Sequence, residues 1–201
     1  PLKLGGDVVV HSATKYLNGH GDVVAGFSAA RKEIMDQIRM VRLKDITGAM
    51  LGPQEAFLIL RGLKTLKVRM DAVCANTQKV VDFLAGSKYV QKVFYPSLEN
   101  HPDHAVAVRE MTRFGGVVSF EMGSFEEAKK VLNHVHLCAG RQPWRLRDAH
   151  PASGFHDALH VHERRDQDRR LLGSPDPSGS RSGRHRYIIA DLQQAFEAVQ
   201  N

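Results

Sequence analysis

One lysine, Lys15, has neighbours that suit a particular kind of chemistry. Ser12 and Thr14 precede it in the segment His-Ser-Ala-Thr-Lys-Tyr. Hydroxyl groups suit the binding of a phosphate, and a partly desolvated lysine is more easily deprotonated to an amine that forms an imine with a carbonyl. A solvated surface charge is the common alternative for any lysine, but this combination is typical of an anchor for pyridoxal phosphate.

Two apolar runs must position this lysine. Valines at 8–10 predict a strand that leads into the lysine segment, and residues 23–26 predict a second strand after a Gly-His-Gly loop. We therefore expect Lys15 to be held between two strands and to be partly removed from water.

The segments Ser-Ala-Thr-Lys-Tyr and Asn-Gly-His-Gly-Asp resemble the signature of the cysteine and methionine metabolism family of pyridoxal phosphate enzymes. The resemblance extends from Pro1 to about Ala139. It implies that Lys15 anchors pyridoxal phosphate and that Ser12 and Thr14 bind the cofactor phosphate. It also implies an α/β fold of fold type I, with part of the large cofactor domain followed by a smaller α/β domain. The family's other cofactor ligands would lie upstream of Pro1, so we predict a fragment.

The same resemblance implies a lyase that acts on sulfur amino acids. The segment that begins at Lys44 and Asp45, Lys-Asp-Ile-Thr-Gly-Ala-Met-Leu-Gly-Pro, is similar to the methionine γ-lyase branch. That branch implies α,γ-elimination with release of a thiol, ammonia and 2-oxobutanoate, and cystathionine γ-lyase and γ-synthase are the alternatives. Lys44 and Asp45 are candidates for positions near the substrate, with a solvated surface ion pair as the other interpretation. A cytoplasmic homotetramer is implied for the intact enzyme, and the fragment is expected to be inactive.

Composition restricts the other classes of function. A chain of 201 residues with 42% hydrophobic content supplies one large domain or two small ones. Its two cysteines, Cys74 and Cys138, have no metal or redox spacing, so neither a metal site nor a disulfide framework is predicted. No transmembrane run is present in the sequence, and we predict no membrane partner.

Helical and strand patterns alternate through the first 140 residues, and residues 43–48 predict a loop. The predicted helices cover 31–42, 53–61, 65–85, 101–113 and 125–132. The later predicted strands cover 90–95 and 115–122. We expect a domain boundary near Lys64, with the cofactor-domain part at 1–64 and the smaller domain at 65–140.

Residues 141–187 depart from everything before them. They contain no Lys, Ile or Met, and their 10 Arg against 6 Asp and Glu supply +4 of the net charge of +6. One interpretation is a basic tail that binds polyanions, and another is a weak metal site at His156, His160 and His162. Neither is favoured, and we predict no nucleic-acid partner.

The favoured interpretation of 141–187 is translation in the wrong reading frame. Codons compatible with 142–145, 149–157 and 174–181, read one nucleotide later, spell Ser-Leu-Gly-Asp, Leu-Ile-Gln-His-Pro-Ala-Ser-Met-Thr and Ala-Leu-Ile-Arg-Leu-Ala-Val-Gly. All three are similar to phrases of the family. The family's arginine for the substrate carboxylate falls in the third phrase, so neither Arg181 nor Arg184 inherits it. The segment is predicted to lack regular structure, and a terminal helix is predicted at 188–201.

Overall fold

A computed structural model describes residues 1–136, 158–162 and 184–200, and the chain divides into two compact units, Pro1–Arg69 and Met70–Asn201. The sequence places a boundary near Lys64, before the helix Leu66–Ala85. The structure places it within the first turns of that helix. The Arg69 side chain donates to the carbonyl of Gly62, so the start of the helix is bonded to the first unit.

The first unit contains a two-stranded antiparallel sheet. Strand β1 (Val8–Ser12) pairs with β2 (Gly26–Ala30), with Val8 opposite Ala30. The strand predicted at 23–26 was placed too early in the sequence. Val23 is buried and Val24 is 88% exposed, as alternation in a strand predicts. Residues 23–25 nevertheless do not pair with β1, because Ala25 O accepts from Ala13 N in the lysine segment. Pairing between the two strands begins at Gly26.

Helices complete the first unit. Helix α1 (Lys32–Gln37) continues directly into a π-helical segment, Ile38–Thr47. The loop predicted at 43–48 is wrong, because the helical segment continues to Thr47. Its last backbone hydrogen bond is from Gly48 N to Leu43 O, at 2.7 Å. Helix α2 (Pro53–Leu63) starts with proline at its first turn, as predicted.

The second unit is built on a three-stranded antiparallel sheet. Its strands β3 (Val90–Phe94), β4 (Val117–Met122) and β5 (Ala158–His162) lie in the order β3-β4-β5. Val118, Phe120 and Met122 of the central strand are buried, which is the period-two pattern of a sheet with one face in a core.

Helices supply the other side of this core. Buried residues of α3 (Leu66–Ala85), α5 (Phe125–His134) and α6 (Arg184–Glu197) belong to the core, and α4 (His104–Glu110) also lies in the second unit. Phe196 of α6 is 1% exposed, stacks on Phe83 at a centroid distance of 6.3 Å, and meets Phe120 edge-on at 6.0 Å. Such burial contributes about 1.5–3 kcal/mol for a phenylalanine. The mixed helix and strand content is the predicted α/β class.

Part of the segment 141–187 has regular structure. Residues 158–162 form β5 against β4, where the prediction expected no strand; the last four, Leu-His-Val-His, alternate apolar and polar residues as strands often do. Helix α6 corresponds to the predicted terminal helix but starts at Arg184. The rest of the segment lies outside the described residues. No helix in the described part of the chain is long and apolar enough to cross a membrane.

Candidate active site

Lys15 lies in a π-helical turn, Ala13–Leu17, that directly follows Ser12, the last residue of β1. The backbone of Lys15 has φ −87° and ψ −119°, which is not helical. The start of the turn is tied to the incoming second strand, because Ala13 N and Thr14 N both donate to Ala25 O, at 2.8 and 3.2 Å. The backbone is therefore held on the N-terminal side of the lysine.

The Lys15 side chain is exposed, which contradicts the expectation that it is partly desolvated. Ala13 and Asn18, at the two ends of the turn, are buried, and Asn18 N donates to Ala13 O at 2.9 Å. Lys15 is offset from both and falls on the open side. Within the described residues, the Lys15 amine has no hydrogen bond or ion pair, so it is available to a ligand.

The two predicted phosphate-binding hydroxyls have different surroundings. Thr14 Oγ1 accepts from Ala25 N at 2.9 Å and donates weakly to Ala25 O at 3.4 Å. Ser12 is exposed, and in the part of the chain that the structure describes its hydroxyl makes no hydrogen bond. The Thr14 hydroxyl is thus already hydrogen-bonded to the backbone of Ala25, whereas the Ser12 hydroxyl has no hydrogen-bond partner among the described residues.

Asn18 forms the buried base of the turn and was not singled out from the sequence. It is 0% exposed, its N–H donates to Ala13 O at 2.9 Å, and its Nδ2 donates to Asp22 Oδ1 at 2.7 Å. Its carbonyl oxygen lies 2.9 Å from His20 Nδ1. The segment Asn-Gly-His-Gly-Asp is therefore held by hydrogen bonds between its own residues, directly after the lysine turn. The spacing of Asn, His and Asp, separated by single glycines, was the sequence feature that could have indicated this.

Arg69 also contacts the lysine turn, and sequence reasoning missed it. Its Nη1 donates to Tyr16 O at 2.9 Å, its Nη2 to Gly62 O at 2.9 Å, and its Nε to Thr65 Oγ1 at 3.0 Å. Because Tyr16 and Arg69 are 53 residues apart in sequence, no local pattern indicates this contact.

The structure does not join Lys44 and Asp45 to the lysine turn by any polar contact. They form an ion pair with each other, Nζ to Oδ1, at 3.9 Å, and their side chains are 64% and 60% exposed. Among the described residues neither makes a hydrogen bond or ion pair with Lys15. An exposed pair of this kind contributes at most about 1 kcal/mol.

The model of the Cys/Met metabolism PLP-dependent enzyme family matches residues 1–163. The chain belongs to this family. Membership confirms the family predicted from the lysine segment and makes pyridoxal phosphate the cofactor.

Individual relatives agree with the family. The chain is 46% identical over 214 residues to an L-methionine gamma-lyase of Fusobacterium nucleatum subsp. nucleatum, covering 99% of the chain and 51% of that protein. It is 51% identical over 136 residues to a cystathionine beta-lyase of Lactococcus lactis subsp. cremoris, covering 67% of the chain and 35% of that protein. A relative that matches nearly the whole of this chain is thus about twice as long as the chain.

A solved structure confirms the predicted fold type. The crystal structure of metB from Corynebacterium glutamicum matches with a TM-score of 0.78 at 32% sequence identity. The match covers 98% of this chain and 51% of that chain. The two units described above are therefore the corresponding half of a fold-type-I enzyme.

The donor set of the lysine turn fits pyridoxal phosphate. The cofactor needs an amine for its aldehyde and hydrogen-bond donors for its phosphate. Lys15 offers an exposed amine, and Ser12 offers an exposed hydroxyl, neither with a competing partner among the described residues. Thr14 offers a second hydroxyl whose donation to Ala25 O, at 3.4 Å, is weak enough to be exchanged for a phosphate oxygen.

Proposed function

We propose that this chain carries the cofactor-anchoring part of a carbon–sulfur lyase that performs α,γ-elimination on methionine. The observation that carries the proposal is the exposed Lys15 amine on a fixed turn, with the uncommitted Ser12 hydroxyl and the Thr14 hydroxyl beside it in sequence. The relatives named L-methionine gamma-lyase support the choice of reaction.

Each residue of the turn has a proposed role. Lys15 Nζ would anchor the cofactor through its aldehyde group and would carry the proton removed from the substrate Cα. Ser12 and Thr14 hydroxyls donate to the cofactor phosphate. When bound, pyridoxal phosphate supplies an electron sink for the pair left at the substrate Cα.

The proposed overall reaction balances with one water. The Cα–H and Cγ–S bonds break, the thiol leaves with a proton, and Cγ gains a proton to become a methyl carbon. Hydrolysis releases the amino group as ammonia and the carbon skeleton as 2-oxobutanoate. The alternatives within the family are elimination from cystathionine, as by a cystathionine γ-lyase, and the γ-replacement that forms cystathionine, as by a cystathionine γ-synthase. A relative named cystathionine beta-lyase supports cystathionine as the alternative substrate.

The surroundings of the site belong to the same proposal. Lys44 and Asp45 are proposed to lie near the substrate in the intact enzyme, where a negative carboxylate and a positive amine would meet the opposite charges of an amino acid. The intact enzyme is proposed to be a cytoplasmic homotetramer, and the low cysteine content supports a reducing compartment. This chain alone is proposed to turn over little substrate, because it spans about half of its relatives.

Covalent labelling tests the central assignment. The chain is mixed with pyridoxal phosphate, reduced with borohydride, digested and mapped by mass spectrometry. We expect the cofactor mass on Lys15 and its loss in Lys15→Ala. Lys64→Ala is the matched control, because Lys64 is also an exposed lysine of the first unit and should leave the Lys15 label unchanged. A label found mainly on Lys44 or Lys64 would refute the proposal.

A second assay tests the proposed low activity of this chain alone. Ammonia and oxoacid release are measured from methionine, cystathionine and homocysteine with saturating cofactor. We expect no substrate to turn over at about 1 per second or faster, the lower end for intact enzymes. Turnover at that rate would show that the chain alone suffices for catalysis.

A further inference from the structure

We propose that Arg69 is a positioning residue for Lys15, which it orients by holding the carbonyl of the next residue, Tyr16. The inference rests on the proposed role of Lys15 and adds a residue outside the lysine segment. Arg69 touches neither the amine nor a substrate in this arrangement, so its effect must pass through the backbone.

The first support is the number of bonds that one guanidinium makes. Three of its nitrogens donate to separate acceptors: Tyr16 O in the lysine turn, Gly62 O near the end of α2, and Thr65 Oγ1 just before α3. A planar guanidinium fixes direction as well as distance, because its donors form a rigid fork. The turn is thereby bonded to the junction between α2 and α3.

The second support is the space around the guanidinium. Gly19 has φ +77°, and an ideal Cβ there would overlap the Arg69 guanidinium carbon and both terminal nitrogens. The guanidinium therefore lies directly against a backbone that has no side chain. A contact this close prevents the turn from moving toward Arg69, while the hydrogen bond to Tyr16 O opposes movement away from it.

The third support is the geometry of the backbone that follows Lys15. Gly19 N donates to Lys15 O at 2.8 Å, and Arg69 Nη1 donates to Tyr16 O at 2.9 Å, so two successive carbonyls are held. Rotation of the Lys15 backbone would break one bond or the other. The held backbone sets the direction in which the Lys15 Cα–Cβ bond leaves the turn, and so the region that the amine can reach.

The test uses two substitutions with different chemistry. Arg69→Gln removes the charge and the fork, whereas Arg69→Lys keeps the charge but offers a single ammonium that cannot bond to three separated acceptors. Arg61→Gln and Arg61→Lys are the matched controls, because Arg61 is an exposed arginine of α2 in the same unit.

Two quantities are measured on the full chain. The first is the exchange rate of backbone amide hydrogens in 13–19 without cofactor. The second is the pyridoxal phosphate concentration that gives half-maximal borohydride labelling of Lys15. We expect both Arg69 variants to speed exchange at the Gly19 amide and to raise the half-labelling concentration about tenfold, since misplacement of a reacting group by about 1 Å costs that much or more. The Arg61 variants should match the wild type.

The outcomes separate this inference from the proposed function. If wild-type Lys15 is not labelled, the proposed function fails and the inference fails with it. If the wild type is labelled but both Arg69 variants label at the same concentration, only the inference is overturned. Full rescue by lysine also overturns it, because charge alone would then suffice. Thr65→Val keeps Arg69 and removes one acceptor, so it should give a smaller shift in the same direction even where Arg69→Gln fails to fold.

Discussion

The carbonyl group of Asn18 packs directly against the Cα atom of Gly62. An ideal Cβ on Gly62 would overlap the Asn18 carbonyl oxygen and lie 2.7 Å from its carbonyl carbon. Asn18 is fully buried, so neither partner has space to withdraw without moving the lysine turn or α2. The anchor turn and the end of α2 therefore form one packed unit, and the absence of a side chain at Gly62 permits it.

This packing predicts that Gly62→Ala destabilises the chain. Glycine to alanine in a helix is normally favourable by about 1 kcal/mol, but here overpacking against a backbone carbonyl should cost about 1–3 kcal/mol or more. The urea midpoint, followed by circular dichroism, measures the change. Gly26→Ala is the control, because nothing lies within 4 Å of its ideal Cβ, and equal effects of the two substitutions would contradict the prediction.

Ser12→Ala should weaken cofactor binding without lowering stability. The Ser12 hydroxyl has no hydrogen bond among the described residues, so its removal should change the free energy of unfolding by less than about 0.5 kcal/mol. Loss of one bond to a phosphate should raise the cofactor dissociation constant at least about tenfold. A spectroscopic titration with pyridoxal phosphate measures this, and unchanged affinity would remove Ser12 from the site.

Thr14→Val should lower both stability and cofactor affinity. Its hydroxyl accepts from Ala25 N at 2.9 Å, and an isosteric methyl would leave that N–H without an acceptor, at a cost of about 1–3 kcal/mol. Thr14→Ser keeps the hydroxyl and should stay close to the wild type in urea unfolding and in cofactor titration. A serine variant as unstable as the valine variant would indicate that the methyl, and not the hydroxyl, is important.

In the second unit, Phe196→Ala should be among the most damaging substitutions. Phe196 is 1% exposed and contacts three aromatic rings, so truncation should cost about 3–5 kcal/mol. Phe125→Ala is the matched control, since Phe125 is 39% exposed at the start of α5 and should cost much less. Thermal unfolding and limited proteolysis measure the stability of both variants. Equal unfolding midpoints would contradict the conclusion that Phe196 lies at the centre of the core.

The reading-frame hypothesis for 141–187 makes a prediction about nucleotides. The DNA encoding 142–145, 149–157 and 174–181 should spell the three family phrases when it is read one nucleotide later. Restoring the frame should return an Ile-Arg-Leu phrase and increase resistance to proteolysis between α5 and α6, because that segment would then have apolar residues to bury. Sequencing the encoding DNA decides the matter, and codons that cannot spell those phrases would eliminate the hypothesis.

Local patterns in the sequence determined the parts of this protein whose cause is local. Pro53 marks the start of α2, the three-to-four spacing of apolar residues predicts α3, and the order Ser12, Thr14 and Lys15 indicates the cofactor anchor. Helix periodicity, proline geometry and side-chain chemistry are properties of neighbouring residues, so no knowledge of the distant chain is required.

Only the tertiary structure decided what surrounds the anchor. The exposure of Lys15, the bond between Thr14 and Ala25, and the contact between Arg69 and Tyr16 depend on where the backbone returns after 11 to 53 residues. The strand predicted at 23–26 was misplaced for the same reason, because the Ala25 carbonyl bonds to the lysine turn and not to the ladder. Hydrogen bonds between distant segments satisfy backbone groups in ways that sequence spacing does not encode.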